Sequence, residues 1–399
     1  MSNYPLREDP GTGFILSLIA GVFVASQSVL LLPFWMGVTI DFFSFSEAQG
    51  GWVATLQLGA GSLATLAIAP FVHRVEKHKV FAFGFLLSIL GNGVSITSIG
   101  LESTTLLFAG RLLSGVGEGS LMAIIGAAAA GTPKPIKTFA IMNSAVALVA
   151  AGIYFASPYL LTIMGASGVF AIMLVATCIG LPFVRYFAQG TSQTVQMAAV
   201  QPDSQTGGFS VSSLLALFIF GLLACVIGGT FAFSQRIGVN NIGLDMESIG
   251  MTLGVASILT VIGPLLASRL GNRMGIRVPV FLAIGAYGVV ALSFSTAQVA
   301  WLFVAAVIGH AITAGFATTF LAGFLASWDS SGRVVAAAPA FGGFGNALGP
   351  SMMAAALPLM PGYQAIGLVA VMVLSLVGVS FFVLTHLIDH SLFQMETQS

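Results

Sequence analysis

Two ionisable residues, Arg111 and Glu118, lie seven positions apart inside an apolar run from Thr104 to Gly131. Seven residues is close to two helical turns, so a helix presents both on one face. At about 1.5 Å rise per residue, Arg111 falls about 10 Å into the run and Glu118 about 21 Å. In a hydrocarbon core of about 30 Å, neither side chain reaches the edge easily. A charge at that depth is costly unless it faces water, a partner or a ligand. Burial favours the neutral form of a carboxyl group, whereas a nearby arginine favours the charged form. A group under both influences can take up and release a proton as a cavity fills and empties, and Glu118 is the candidate proton carrier. The plainer reading is a structural ion pair with Arg111. Helical side chains lean toward the N-terminus, so Arg111 leans away from Glu118, and a direct pair requires it to turn back. Arg111 can hold an anionic substrate, gate Glu118 or cap backbone carbonyls. His310, eleven residues into a later apolar run, is the third candidate, because imidazole titrates near neutral pH and suits a proton relay. Its plainer reading is a neutral ring bonded to a helix carbonyl or to Thr313.

The chain around these residues is 57% hydrophobic and 7% charged, with mean hydropathy +1.01. Soluble domains carry roughly 25% charged residues, so this composition describes an integral membrane protein with no sizeable soluble domain. The formal net charge of zero gives no case for nucleic acid. Cys178 and Cys225 fall inside apolar runs and read as lipid- or core-facing thiols, with neither a disulfide framework nor metal-ligand spacing. No nucleophile–base pair or metal cluster stands out, so the chain does not read as an enzyme, and no cofactor is implied. The phosphate-binding pattern G-x-x-x-x-G-K-[ST] is missing, which argues against ATP as the energy source.

Twelve apolar runs are near membrane-spanning length: 14–38, 50–72, 80–100, 104–131, 138–161, 167–187, 211–234, 247–267, 276–296, 299–326, 334–357 and 363–388. The first is too long for a signal-peptide core and reads as an uncleaved span. An even count places both termini on one side. If that side is cytoplasmic, eleven of the thirteen basic residues fall in cytoplasmic segments: Arg7, Arg74, Lys77, Lys79, Lys134, Lys137, Arg185, Arg269, Arg273, Arg277 and Arg333. This is the positive-inside pattern. The expected location is a plasma (inner) membrane, with multiple passes and cytoplasmic termini. Trp35, Trp52, Trp301 and Trp328 fall at predicted span ends, as an interfacial belt requires. The Gln-, Ser- and Thr-rich segment 189–210 reads as a linker between six-helix units at 1–188 and 211–399. An offset of 195 aligns Arg74 with Arg269, Gly59 with Gly254, and Leu107-Phe108 with Leu302-Phe303. Two such halves, related by a pseudo-two-fold axis along the membrane normal, form a transporter architecture.

The chain resembles the major facilitator superfamily over essentially its whole length. The loop 69–79, with Arg74, Lys77 and Lys79, stands where the family carries G-x-x-x-D-R-x-G-R-R-K, although Ala69, His73 and Glu76 depart from that pattern. A second copy, Gly263 to Arg277, keeps Arg269, Gly271 and Arg273. Arg111-x-x-x-Gly115-x-Gly117-x-Gly119 is similar to the family's fourth-helix motif, whose arginine is associated with proton coupling. With Glu118 it also resembles the spinster-like lipid transporters. The fifth-helix G-x-x-x-G-P pattern of antiporters is reduced to Ser157-Pro158, and a fuller copy, Gly345 to Pro350, stands in the eleventh run.

The resemblance implies an all-α fold of twelve transmembrane helices in two pseudo-symmetric six-helix bundles, and a secondary transporter that works by alternating access. It implies a cavity lined by spans one, four, seven and ten. That cavity would be furnished by Gln27, Arg111, Glu118, Thr230, Ser234, Gln235 and His310, with Arg111, Glu118 and His310 serving proton coupling. Arg74, Lys77, Arg269 and Arg273 would form the conformational loop motif. The partners expected of a monomer are protons, the lipid bilayer and a small organic solute. Export of an amphipathic or lipophilic compound is slightly favoured over uptake of an organic anion, and an uncoupled facilitator is the further alternative.

Overall fold

In a hydrocarbon layer every backbone N–H and C=O must be satisfied within its own segment, which leaves an apolar chain of this kind the helix. The computed structural model describes residues 11–72, 74–188, 210–270, 277–328 and 333–396. Most of the 189–210 segment, Arg7 and Arg273 lie outside the described residues. The long elements among the described residues are all helices. They are α1 (Thr12–Leu30), α2 (Leu32–Phe43), α3 (Glu47–Ile68), α4 (Lys77–Gly100), α5 (Thr104–Ala130), α6 (Pro135–Met164) and α7 (Gly168–Gly180). After the linker come α8 (Val211–Ala232), α9 (Met246–Leu259), α10 (Ile262–Leu270), α11 (Arg277–Ser295), α12 (Ala300–Trp328), α13 (Arg333–Ala356) and α14 (Gln364–Glu396).

Each apolar run predicted from sequence corresponds to one helix or to a broken pair, with α1–α2 in the first run and α9–α10 in the eighth. Ten described stretches are long and apolar enough to cross a membrane. One of them, Lys137–Ala188, holds both α6 and α7, which turn at Gly165 with φ 58°. The Gly- and Ala-rich α13 is not among the ten, although it is 24 residues long. Local signals set the ends. Ser46 and Gln49 form a capping box at α3, and Ser103, Ser210 and Asp245 accept from the first turns of α5, α8 and α9.

One expectation is corrected here. The first span continues through α2 to Phe43, because Pro33 sits in the first turn of α2, where its missing N–H costs nothing. Trp35 is therefore not interfacial. It is fully buried and donates from Nε1 to the Ser28 carbonyl at 2.9 Å. Trp52 and Trp301 remain largely exposed.

Helix α5 packs between α3 and α4 and also touches α1. Its glycines make that approach possible. A Cβ on Gly119 would overlap the backbone of Gly61 in α3, and one on Gly117 would lie 2.7 Å from the Gly84 carbonyl oxygen in α4. This close sandwich brings polar residues of α3 and α4 alongside Arg111. In the second set, α12 packs on α9, α10, α11 and α13, and α8 packs on α13 and α14.

The two sets meet along α3–α13 and α6–α9. Thr55 donates to the Ala347 carbonyl at 2.6 Å, and Ser257 to the Ala147 carbonyl at 3.0 Å. Gly250 of α9 lies against the Tyr154 carbonyl and the Pro158 ring. The small residue of this crossing thus sits on α9, a physical reason that α6 can lack the fifth-helix glycines. At the end carrying the 44–46 turn, Arg236 pairs with Asp41 at 2.5 Å and Glu47 at 2.9 Å, and Tyr363 donates to Glu47 at 2.9 Å.

Candidate functional site

Arg111 is fully buried, yet it makes no ion pair among the described residues. Its Nε and Nη2 donate to Ser95 Oγ at 2.9 and 2.7 Å, Nη2 donates to Asn92 Oδ1 at 2.8 Å, and Nη1 donates to Gln57 Oε1 at 3.3 Å. The guanidinium carbon lies 4.5 Å from the Phe170 ring centre and 5.9 Å from that of Trp35. Neutral acceptors around its edge and aromatic faces beside it suit a guanidinium held out of water.

Glu118 is 4% exposed and accepts from Ser28 Oγ at 2.6 Å. Gln57 joins the two ionisable groups. Its Oε1 receives Arg111, and its Nε2 donates to Ser28 Oγ. The order is Arg111, Gln57, Ser28, Glu118: a relay of two neutral side chains where a direct pair was one of the expectations.

His310 forms a second cluster. Its Nδ1 lies 2.8 Å from Tyr287 Oη and 3.4 Å from Thr230 Oγ1, and those two oxygens are 2.9 Å apart. Its ring stacks on Phe231 with centroids 5.7 Å apart. Thr313, the partner suggested by sequence, bonds instead to the Gly309 carbonyl at 2.6 Å.

Two adjoining cavities lie between the helix sets. One, of about 340 Å³, has Glu118, Gln57, Thr65, Phe220, Thr318 and Asn346 on its wall. The other, of about 310 Å³, has His310, Phe231, Tyr154 and Ser257 on its wall. Val29, Ile227, Thr318 and Asn346 belong to both. Each is within the size range of small-molecule sites.

The Major Facilitator Superfamily profile matches residues 13–350. The chain belongs to the Major Facilitator Superfamily. No curated protein sequence matches it. Solved structures of the superfamily fold do. A bacterial homologue of the human lysosomal transporter Spinster, in an inward-facing and occupied conformation, aligns with TM-score 0.69 at 16% identity, over 94% of this chain and 96% of that one. The nucleoside transporter NupG aligns with TM-score 0.67 at 13% identity, over 93% and 99% of the two chains. The human organic anion transporter MFSD10 (TETRAN) aligns with TM-score 0.65 at 13% identity, over 92% and 98%. At these identities the likeness is one of fold.

Of the residues that the superfamily resemblance nominated for the cavity, Glu118 and His310 are on the described walls. Thr230 stands behind His310. Arg111 stands behind Gln57 and is not on either wall. Gln27 is buried against α7, bonded to Thr177 at 3.2 Å. Ser234 donates to the Phe231 carbonyl at 2.7 Å, and Gln235 reaches Met246 Sδ at 3.6 Å; neither is on these walls. In the loop motif, Arg74 and Arg269 are exposed and Lys77 opens α4. Glu76 pairs with Lys79 at 2.8 Å, and the lysine's hydrogen bond holds its carboxyl below the usual carboxylate range.

Sequence reasoning did not single out Ser28, Gln57, Asn92, Ser95 or Tyr287. Their shared signal is polarity inside an apolar run. Asn92 and Tyr287 carry one more, since they are 195 positions apart, the offset of the internal repeat.

Proposed function

We propose that this superfamily member is a proton-coupled secondary transporter of a small organic solute, and that Glu118 carries the coupling proton. The observation that carries the reading is the setting of Glu118. It is a carboxyl on a cavity wall, about halfway along the apolar helix α5, bonded to Ser28 and tied through Gln57 to a buried arginine. An acid that can be neutral when the cavity is closed and charged when a solute or water faces it couples occupancy to protonation. The helix sets at 1–188 and 211–399 would rock about this site, joined by the 189–210 segment, with both termini cytoplasmic in a plasma membrane. On that orientation the Arg236–Glu47–Asp41 contacts close the outer side. An amphipathic or lipophilic solute is favoured because the walls are mainly apolar, and its export is slightly favoured over uptake. Uptake of an anion on Arg111 is less favoured, because its donors face Ser95, Asn92 and Gln57.

Glu118→Gln mimics the protonated form and tests this reading in proteoliposomes. Solute exchange is expected to persist while accumulation driven by a pH gradient is lost. Undiminished gradient-driven transport would remove Glu118 from the mechanism. A loss confined to His310→Ala would move the proton to the second cluster, which also touches a cavity wall.

A further inference from the structure

The two cavities carry one formally charged residue between them among the described residues, and it is a carboxyl, Glu118. The nearest cation cannot leave its place cheaply. Arg111 is fully buried and bonded to three side chains, and Phe170 and Trp35 lie beside it. An anionic solute in this space would meet Glu118 and no free positive charge. A neutral polyhydroxylated solute fares little better, because most wall donors are already engaged. Gln57 is held by Arg111 and Ser28, and the hydroxyls of Ser62, Thr65 and Thr318 bond to helix carbonyls. The remaining surface is largely apolar and aromatic. Phe220 stands on the Glu118 side and Phe231 on the other, with Val29 and Ile227 bridging the two. An aromatic face attracts a cation as well as an apolar body.

From this juxtaposition we infer that the solute is an amphipathic organic monocation. Its cationic head sits at Glu118, and its apolar body lies across Val29 and Ile227 toward Phe231. The inference rests on the proton-coupled reading above and names the solute class for the same site. One cation entering and one proton leaving Glu118 for water balance in charge, so the exchange at the site is electroneutral. The other titratable groups around the carboxyl are Arg111, reached through Ser28 and Gln57, and His310 and Tyr154 on the second cavity, with Tyr287 behind His310.

The test is direct binding to the purified full-length protein in weakly buffered detergent solution, with proton release followed by a pH dye. The probes are tetraphenylphosphonium, ethidium and an alkyltrimethylammonium, each against tetraphenylborate as an anion of similar bulk. At least one cation is expected to bind, to release a proton, and to bind more tightly as pH rises. Glu118→Gln should abolish the proton release and weaken that cation about tenfold or more, while Glu118→Asp retains both. Ile227→Trp, which narrows the bridge between the cavities, should weaken the bulky cations and leave proton release per bound cation unchanged. Binding of tetraphenylborate but of no cation overturns the inference. If that anion also exchanges a proton through Glu118, the coupled reading survives alone. Binding of none of the cations likewise overturns it. Cation binding without proton release at any pH keeps the solute class and overturns the coupling.

Discussion

The Arg111 and His310 clusters occupy corresponding places and solve different problems. Counting by the 195-residue offset, Asn92 corresponds to Tyr287 and Trp35 to Thr230. Asn92 and Trp35 face Arg111, as Tyr287 and Thr230 face His310. Arg111 and His310 themselves differ by one helical turn in this register. Around Arg111 the groups are side-chain acceptors and aromatic rings, and the cation is sealed away. Around His310 the groups are two hydroxyls that also bond each other, and the ring reaches a cavity wall. Neighbouring levels of the same scaffold can therefore hold a fixed charge or a titratable ring, depending on whether the surrounding side chains turn acceptor oxygens toward it or hydroxyls that can bond either way. A guanidinium keeps its charge under any condition a cell offers, so the first cluster acts as a constant field near Glu118. The second has interchangeable donors and acceptors and can lose a member with less disturbance.

The strongest way to break this contrast is to remove the charge. Arg111→Ala leaves Asn92 Oδ1, Gln57 Oε1 and Ser95 Oγ without their donor inside a buried space. It is expected to destabilise the protein by about 3–5 kcal/mol, with Arg111→Lys recovering part of that. Thermal unfolding in a mild detergent measures it. A near-neutral Arg111→Ala would mean that the cluster is not the sealed structural charge described above.

His310→Ala is expected to cost less, about 1–2 kcal/mol, because Tyr287 and Thr230 keep their mutual bond and a cavity already adjoins the site. If Glu118 is the coupling group, gradient-driven transport persists in this variant at a reduced rate. A stability loss equal to that of Arg111→Ala would erase the distinction between the clusters.

Much of the fold was legible because membrane burial imposes long apolar runs, and the runs mapped onto helices with small boundary errors. Trp35 escaped because α2 carries the first span to Phe43, turning a predicted surface tryptophan into part of the arginine's enclosure. Glu118 and His310 were legible because ionisable groups are rare in such runs. Gln57, Ser28 and Ser95 were not, since Ser and Gln inside spans ordinarily serve as interhelical glue, and their selection depends on which faces of α1, α3 and α4 meet. Arg111 illustrates the limit. Its depth and its lean away from Glu118 could be read from spacing, whereas the acceptors that hold it lie 16 to 54 residues away in sequence.

The finest separation of the two clusters is a matched pair at the corresponding positions. Asn92→Leu removes an acceptor from a buried guanidinium, and a charge-assisted bond of that kind is worth about 1.5–3 kcal/mol. Tyr287→Phe removes a neutral hydroxyl whose partners keep other contacts. Thr230 still donates to the Val226 carbonyl at 2.7 Å and remains 3.4 Å from His310 Nδ1. The expected cost is about 1 kcal/mol. A double-mutant cycle of Tyr287→Phe with Thr230→Val should show a coupling of about 0.5–1 kcal/mol, as residues sharing one network do. Asn92→Leu combined with Arg111→Lys should couple more strongly, because the bond it probes carries a charge. If the two substitutions at corresponding positions cost the same, the surroundings of a repeat position do not decide whether it stores a charge or a titratable ring, and the contrast drawn between the clusters fails.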